Sequence, residues 1–466
     1  MRNLSLALLL LISVYGLKAQ EQVLHRGAVT ETVTANDSIS IPYSIYLPPT
    51  YDVNNPSNAL FIFDSEGEGT KATRLFVSAL QGENYIIVAN NKPLPQVLDS
   101  LDANAKMGLH IMQDVFRKVS LDMNNVYLAG HKSGAQVASA LSYIVRGKAN
   151  LLLIDDVYFA NRFADQAQEN LAIGVVGEAS PNYYQMEDYF YMMKAYNNDN
   201  TLYFIEETKT WPSAALMGTL INRLYHLNNE RLNKKLSDTV WQRQYQTDLN
   251  TIKQLTLADE YVNAYELATD LKGEYRGNVD LDPLRDLQRG LRRSDAYKQE
   301  KRFMRSDDIE EGLLLDDISY FLDEDLALGS FSNLGYWDER IQQFRAAAQN
   351  SAKPKEQKVA KRMLGYIDYV VTDFLTLNRV ALFDQRIFAN VLRTLLDPEN
   401  DTAYLDIISL AAIDGDDNTA YFYLEELLKQ GYDDYEALYS IPKTELLRIK
   451  PTYNELVESY LGKSKF

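Results

Sequence analysis

The sequence predicts two domains of different class: an α/β domain with a mostly parallel sheet, followed by an all-α domain of helix hairpins. Three observations carry this. Up to about residue 228, short apolar runs of strand length alternate with helical stretches, as in a parallel sheet covered on both faces by helices. Beyond residue 228 the strand signal nearly vanishes while helical periodicity continues. Between one strand run and the next helix lies Gly130-His131-Lys132-Ser133-Gly134, with glycines placed for a sharp strand-to-helix turn. A length of 466 residues also favours two or more domains.

The first segment, residues 1–19, reads as a secretory signal peptide: Arg2, an apolar stretch from Leu6 to Val14, then the small residue Ala19. Its apolar run is too short for a membrane span, and no later run approaches that length. The expected location is therefore outside the cytoplasm, periplasmic or secreted, as a soluble protein. With no cysteine, the chain has neither disulfides nor thiolate metal sites. Removing Arg2 and Lys18 with the leader moves the formal charge from −18 to −20. So acidic a chain repels nucleic acid and anionic lipid, and neither is expected as a partner.

In the first half, residues 38–47 read as an alternating strand pair around Pro42. Residues 59–63, 85–89, 126–129, 151–154, 171–176 and 202–205 read as six further strands. Helices are expected over 105–119, 134–145 and 214–227. The domain boundary is expected within 228–248, a charged helical segment.

The succession of segments is similar to the esterase D-like branch of the α/β-hydrolases. The likeness rests on Tyr43-Ser44-Ile45-Tyr46-Leu47-Pro48-Pro49 and Leu60-Phe61-Ile62-Phe63-Asp64-Ser65-Glu66-Gly67. It continues through Tyr85-Ile86-Ile87-Val88-Ala89-Asn90-Asn91, the 130–134 turn and Trp211-Pro212. In that family the turn is a nucleophile elbow, G-x-S-x-G, whose central serine is served by a histidine and an acid. Here the centre is Lys132. The resemblance places the histidine two residues before Trp211-Pro212, where Lys209 stands. It places the acid in the loop Gly177-Glu178-Ala179-Ser180, at Ser180 with Glu178 as a near miss. The four histidines, His25, His110, His131 and His226, do not fall in the expected loop.

Three substitutions in a triad that works as a unit imply loss of hydrolysis. Two competing expectations remain beside it. Lys132 facing Lys209 would have one pKa depressed by like charge, permitting lysine-based covalent chemistry. Alternatively Ser133 is an off-register nucleophile and the chain is an active carboxylic-ester hydrolase. His131 is expected to serve packing.

In the second half, helical patterns cover 249–271, 284–303, 307–322, 337–349, 356–378, 388–396, 403–413, 419–430 and 452–461. Residues 410–432 resemble a tetratricopeptide repeat: Gly415 ends one helix, Asp416 to Asn418 cap the next, and Ala420, Leu424 and Leu427 share a face. Residues 446–456 resemble the cap that follows such repeats, while 249–399 show no clean 34-residue period.

Asp414, Asp416, Asn418 and Glu425 fit the spacing of a calcium loop, but Thr419 stands where its turn requires glycine. Helix capping is expected there instead. The acidic runs Asp307–Glu311 and Asp316-Asp317 are expected to be solvated helix faces or caps. With no phosphate-binding glycine loop and no zinc-ligand spacing, no cofactor or metal is expected. The functional expectation is an exported pseudo-hydrolase that binds a protein or peptide, or serves as a scaffold, through its helical array. A purely structural role in the cell envelope stands as a third reading.

Overall fold

A computed structural model describes residues 24–35, 40–95, 100–144, 148–159, 169–206, 210–377 and 382–466. The leader expected at 1–19 and the position Lys209 lie outside them.

Eight strands, β1 (Val29–Thr34), β2 (Pro42–Tyr46), β3 (Ser57–Asp64), β4 (Tyr85–Asn90), β5 (Leu121–His131), β6 (Asn150–Ile154), β7 (Leu171–Gly177) and β8 (Thr201–Ile205), form one sheet. Their order is β1-β2-β4-β3-β5-β6-β7-β8. The pairs β3/β4, β3/β5 and β5/β6 are parallel, and β2 runs antiparallel to β1 and β4. The domain is thus an α/β-hydrolase-like fold. β4, β6 and β7 are buried at every residue, which requires helices on both faces. Those helices include α1 (Gly69–Ala79), α2 (Leu101–Lys118), α3 (Ser133–Ile144), α4 (Tyr183–Tyr196) and α5 (Ala214–Arg231). α1 packs on α5 and α2 on α3.

Two expectations for this half are corrected. The antiparallel partner of β2 is not within residues 38–47; it is β1, upstream, with Val29 opposite Tyr46 and Thr34 opposite Pro42. Pro42 has no N–H to give a ladder and accordingly opens its strand. Helices α1 and α4 have no counterpart in the sequence reading. Gly69, Thr70 and Thr73 lower the helix propensity of one, and the aromatic-rich start of the other obscures its period.

The helical half contains α6 (Asp238–Leu257), α7 (Tyr261–Glu274), α8 (Asp282–Arg293), α9 (Asp295–Leu328), α10 (Leu334–Gln349), α11 (Pro354–Leu377) and α12 (Phe383–Leu396). α13 (Asp401–Asp414), α14 (Asp417–Lys429), α15 (Tyr435–Leu438) and α16 (Pro451–Leu461) follow. Neighbours in sequence pack on each other: α6 on α7, α7 on α8, α10 on α11, then α11 through α14 in turn, with α16 on α14. The stretch expected as one helix over 249–271 is two, broken where Asp259 takes φ 63°. The stretches 284–303 and 307–322 divide elsewhere than expected. Ser294 ends α8 and caps α9 by accepting from the Tyr297 N–H, and α9 then runs 34 residues to Gly329. No glycine or proline interrupts it before Gly312.

The capping expected at Asp416 is present: its carboxylate accepts from the Thr419 N–H, and Gly415 ends the preceding helix at φ 80°. Ala420, Leu424 and Leu427 are fully buried in one core with Tyr404, Ile408 and Tyr453. Among the described residues, no helix is long and apolar enough to cross a membrane.

The chain divides into two compact units. The first takes the segments up to Ile154, Tyr158–Ile173 and Trp211–Ser237; the second takes Asp155–Val157, Gly174–Thr210 and Asp238–Phe466. The chain passes from the first unit to the second between Ser237 and Asp238, and an earlier part of the second unit, Gly174–Thr210, begins within β7.

In the second unit, α11 meets the loop between β7 and α4 with no room to spare. A Cβ on Gly365 would lie 2.0 Å from the Pro181 carbonyl oxygen. Gly365→Ala is therefore expected to destabilise the second unit by about 1–3 kcal/mol, read as a lower denaturant midpoint. An unchanged midpoint would show that the loop yields freely.

Candidate functional site

The first unit carries the elbow. β5 ends at His131 and α3 begins at Ser133, so the chain reverses at one residue, Lys132, which takes φ 51°. A non-glycine residue there costs about 1–2 kcal/mol and is held by its surroundings. The Lys132 N–H donates to the Ile154 carbonyl at 2.8 Å, and the Lys132 carbonyl accepts from the Ala135 N–H at 2.7 Å. The flanking glycines are required by space. A Cβ on Gly130 would stand 2.2 Å from the Gly134 carbonyl oxygen, and one on Gly134 1.8 Å from that of Phe63. The elbow geometry is complete, with lysine at its tip.

Ser133 does not share that position. It is the first residue of α3, is buried, and its hydroxyl donates to the Leu94 carbonyl at 2.7 Å. His131 is buried with its ring 5.5 Å from that of Trp211, which makes it part of the packing under the elbow. Trp211 in turn packs edge-on against Phe76 and donates its indole N–H to Asp64 at 2.7 Å.

Asp64, at the end of β3, received no role from the sequence, yet it organises the loop that follows. In an acyl-transfer elbow, one oxyanion donor is an N–H from the loop between β3 and the next helix. Here the Glu66 and Glu68 N–H groups donate to Asp64 Oδ1 at 3.1 and 2.9 Å, and the Gly67 N–H donates to the Asp64 carbonyl at 3.2 Å. Asp64 itself is fixed by Asn90, which accepts from its N–H at 2.7 Å and donates to its carbonyl at 2.9 Å. The Asp64 carboxylate thus takes two N–H groups of this loop.

Ser180 and Glu178, also assigned by the resemblance, belong to the second unit. Ser180 is buried in the turn after β7, where its hydroxyl accepts from the Asn182 N–H at 3.0 Å. Glu178 is tied to the helices: its carboxylate meets Lys358 Nζ at 2.5 Å, and its carbonyl accepts from Arg362 Nη1 at 2.6 Å. Lys209 lies outside the described residues.

Arg362 also meets Glu311 through two of its nitrogens, Nε to Oε1 at 2.6 Å and Nη2 to Oε2. Tyr184 donates to the same carboxylate. Glu311 is therefore not on the solvated helix face expected from the acidic run; it is buried in an ion pair. Burial works against the Arg362 charge, but the hydrogen bond and charge of Glu311 outweigh it and hold the guanidinium charged. Burial, then the Glu311 bond and charge, push the Tyr184 phenol far above its usual range. No sequence signal pairs Glu311 with Arg362, which stand on separate helices; Lys358 and Arg362 at i, i+4 show only that they share a helix face.

The second unit has a half-open cavity of about 770 Å³, bordered by Tyr183, Phe204, Tyr261, Glu300, Lys358 and Arg362 among others. Glu300 accepts from the Tyr261 and Val262 N–H groups at 2.9 and 3.2 Å. Its carboxyl is raised above the usual range by burial, against the pull of those two N–H groups, and further by Glu178 and Glu260. Among the described residues, no group of three or more histidine or acidic side chains is placed to hold a metal ion.

No protein-family model matches the chain, and no curated protein matches it. Solved structures share a partial likeness. A mutant feruloyl esterase module from Clostridium thermocellum, complexed with sinapinate, is 13% identical; the match covers 42% of this chain and 86% of that one, with a TM-score of 0.32. An arylesterase is 12% identical over 46% of this chain and 91% of its own, with a TM-score of 0.33. A dienelactone hydrolase of Klebsiella pneumoniae, so assigned without direct proof, is 12% identical over 41% and 95%, with a TM-score of 0.31.

Two outcomes follow. Lys132→Gly removes left-handed strain of about 1–2 kcal/mol against a glycine entropy cost of about 0.5–1 kcal/mol. It should leave the first unit as stable or up to about 1 kcal/mol more stable in chemical denaturation. A clear loss would mean that the Lys132 side chain carries packing. Arg362→Ala leaves Glu311 buried without its cation and should cost the second unit about 3–5 kcal/mol; a change under about 1 kcal/mol would show the pair to be solvated.

Proposed function

We propose that this chain is a pseudo-hydrolase: an α/β-hydrolase-like domain that does not hydrolyse esters, joined to a helical region that binds a protein or peptide partner or serves as a scaffold. The observation that carries the first part is the elbow, where Lys132 occupies the nucleophile's conformation and Asp64 takes loop N–H groups suited to an oxyanion. A lysine tip lacks the serine hydroxyl, and the occupied donors would not stabilise a tetrahedral intermediate. The loop assigned to the catalytic acid is engaged by Lys358 and Arg362, which favours a structural role for it.

For binding, the support is the succession of packed helices, read as tetratricopeptide-like hairpins most closely at 400–461, and an exposed apolar stripe on α9. Leu313, Tyr320, Phe321 and Leu328 lie on that stripe at helical spacing and are solvent-exposed. Exposed apolar side chains clustered on one face, here interleaved with the exposed Asp317 and Glu324, mark contact sites. The leader at residues 1–19 makes the protein an exported one, and the division into residues 20–228 and 229–466 is part of the same reading.

Residues 20–466 should release no p-nitrophenol from short p-nitrophenyl esters above the buffer rate. Lys132→Ser alone should not create turnover, because Asp64 still occupies the loop donors. Turnover by the natural chain that Ser133→Ala abolishes would overturn the reading in favour of an active carboxylic-ester hydrolase. For the binding half, proteins captured by residues 20–466 from envelope extract should be lost with a Tyr320→Asp, Leu328→Asp variant. Capture unchanged by that variant would remove α9 as the contact surface.

A further inference from the structure

We propose that the cavity of the second unit binds an organic cation, an ammonium or guanidinium group carried on an aromatic or apolar stem. Its volume of about 770 Å³ lies within the range of roughly 300–1,000 Å³ usual for small-ligand sites. Tyr183, Tyr184, Phe204 and Tyr261 give it an aromatic wall, and cations are attracted to such ring faces. The cavity already displays this contact, with the Arg362 guanidinium 4.6 Å from the centre of the Tyr183 ring.

The charge balance selects the sign of the ligand. The described lining holds five carboxylates, Glu178, Glu187, Asp259, Glu300 and Glu311, against the cations Lys355, Lys358 and Arg362. Each of those cations has a carboxylate partner: Lys358 has Glu178, Arg362 has Glu311, and Lys355 has Glu310 at 3.8 Å. Asp259 and Glu300 are held by neutral donors, the Tyr261 hydroxyl at 2.8 Å and the Tyr261 and Val262 N–H groups. An anionic ligand would have to displace an existing ion pair. A cation meets Asp259 and Glu300, which have no cationic partner among the described residues, and it relieves the repulsion that Glu178 and Glu260 exert on Glu300.

The inference is independent of ester hydrolysis and of any protein partner on α9. Its test is calorimetric titration of the full chain with phenethylammonium, phenylacetate and 2-phenylethanol, which share a ring and differ in charge. Phenethylammonium should bind about tenfold or more tightly than the other two. Glu300→Gln should weaken it severalfold; glutamine keeps an oxygen to accept from the helix N–H groups, so α7 retains its cap. Asp259→Asn should act in the same direction, since asparagine tolerates the positive φ at that position. Retained melting transitions verify that both variants fold.

A blocked dipeptide ending in lysine distinguishes the source of the cation. Tighter binding than phenethylammonium assigns the site to a side chain of a peptide, and weaker binding assigns it to a free amine. Equal or better binding of phenylacetate, no saturation by any cation up to about 10 mM, or cation affinity unchanged in both variants would overturn the proposal.

Discussion

Arg362 holds the second unit together. A buried guanidinium is tolerable only where its hydrogen bonds and charge are met, and here Glu311 on α9 meets them through two nitrogens while the Glu178 carbonyl takes a third. Tyr184 on α4 completes the arrangement by donating to Glu311. Three helices and the loop after β7 thus converge on one side chain, with Gly365 seated against Pro181 beside it. The loop is fixed by helix α11, from its carbonyl at Glu178 to its proline. A loop so engaged has a packing role of its own.

The elbow shows how packing fixes a sharp turn independently of the residue at its tip. Gly130 and Gly134 are demanded by carbonyl oxygens that a Cβ would strike, and those oxygens belong to the turn itself and to β3, which pairs with β5 along its length. Removing either glycine would disturb the sheet whether or not a nucleophile stood between them. The tip, Lys132, is only half-buried, and lysine stands there at the cost of a positive φ. Asp64 follows the same logic. Its carboxylate, fixed by Trp211 and by the N–H groups of Glu66 and Glu68, satisfies a loop whose backbone donors would otherwise need water or a ligand.

The parts of this arrangement differ in how far the sequence foretold them. The six strands from β3 to β8 followed from short apolar runs, and β2 from the alternating stretch around Pro42. β1 escaped because its sequence, VTETVT, has only two apolar residues, four apart, and shows no period-2 alternation. The breaks at Asp259 and Ser294 escaped because each is made by one polar residue in a helical period: an αL conformation in the first case and a cap in the second. Glu311 was read as solvated for want of any local sign that Arg362, 51 residues away, would cover it.

By itself the sequence determined the fold class, most of the strands, and the elbow with lysine at its tip, because periodicity, glycine placement and residue identity are local properties. Tertiary structure decided which charges are buried and which face solvent, that Ser133 is tied to Leu94 and Ser180 to its own turn, and that a cavity with an excess of carboxylates lies among the helices. Those outcomes depend on distances between residues remote in the chain, and the free energy of a charge is set by what surrounds it rather than by what precedes it.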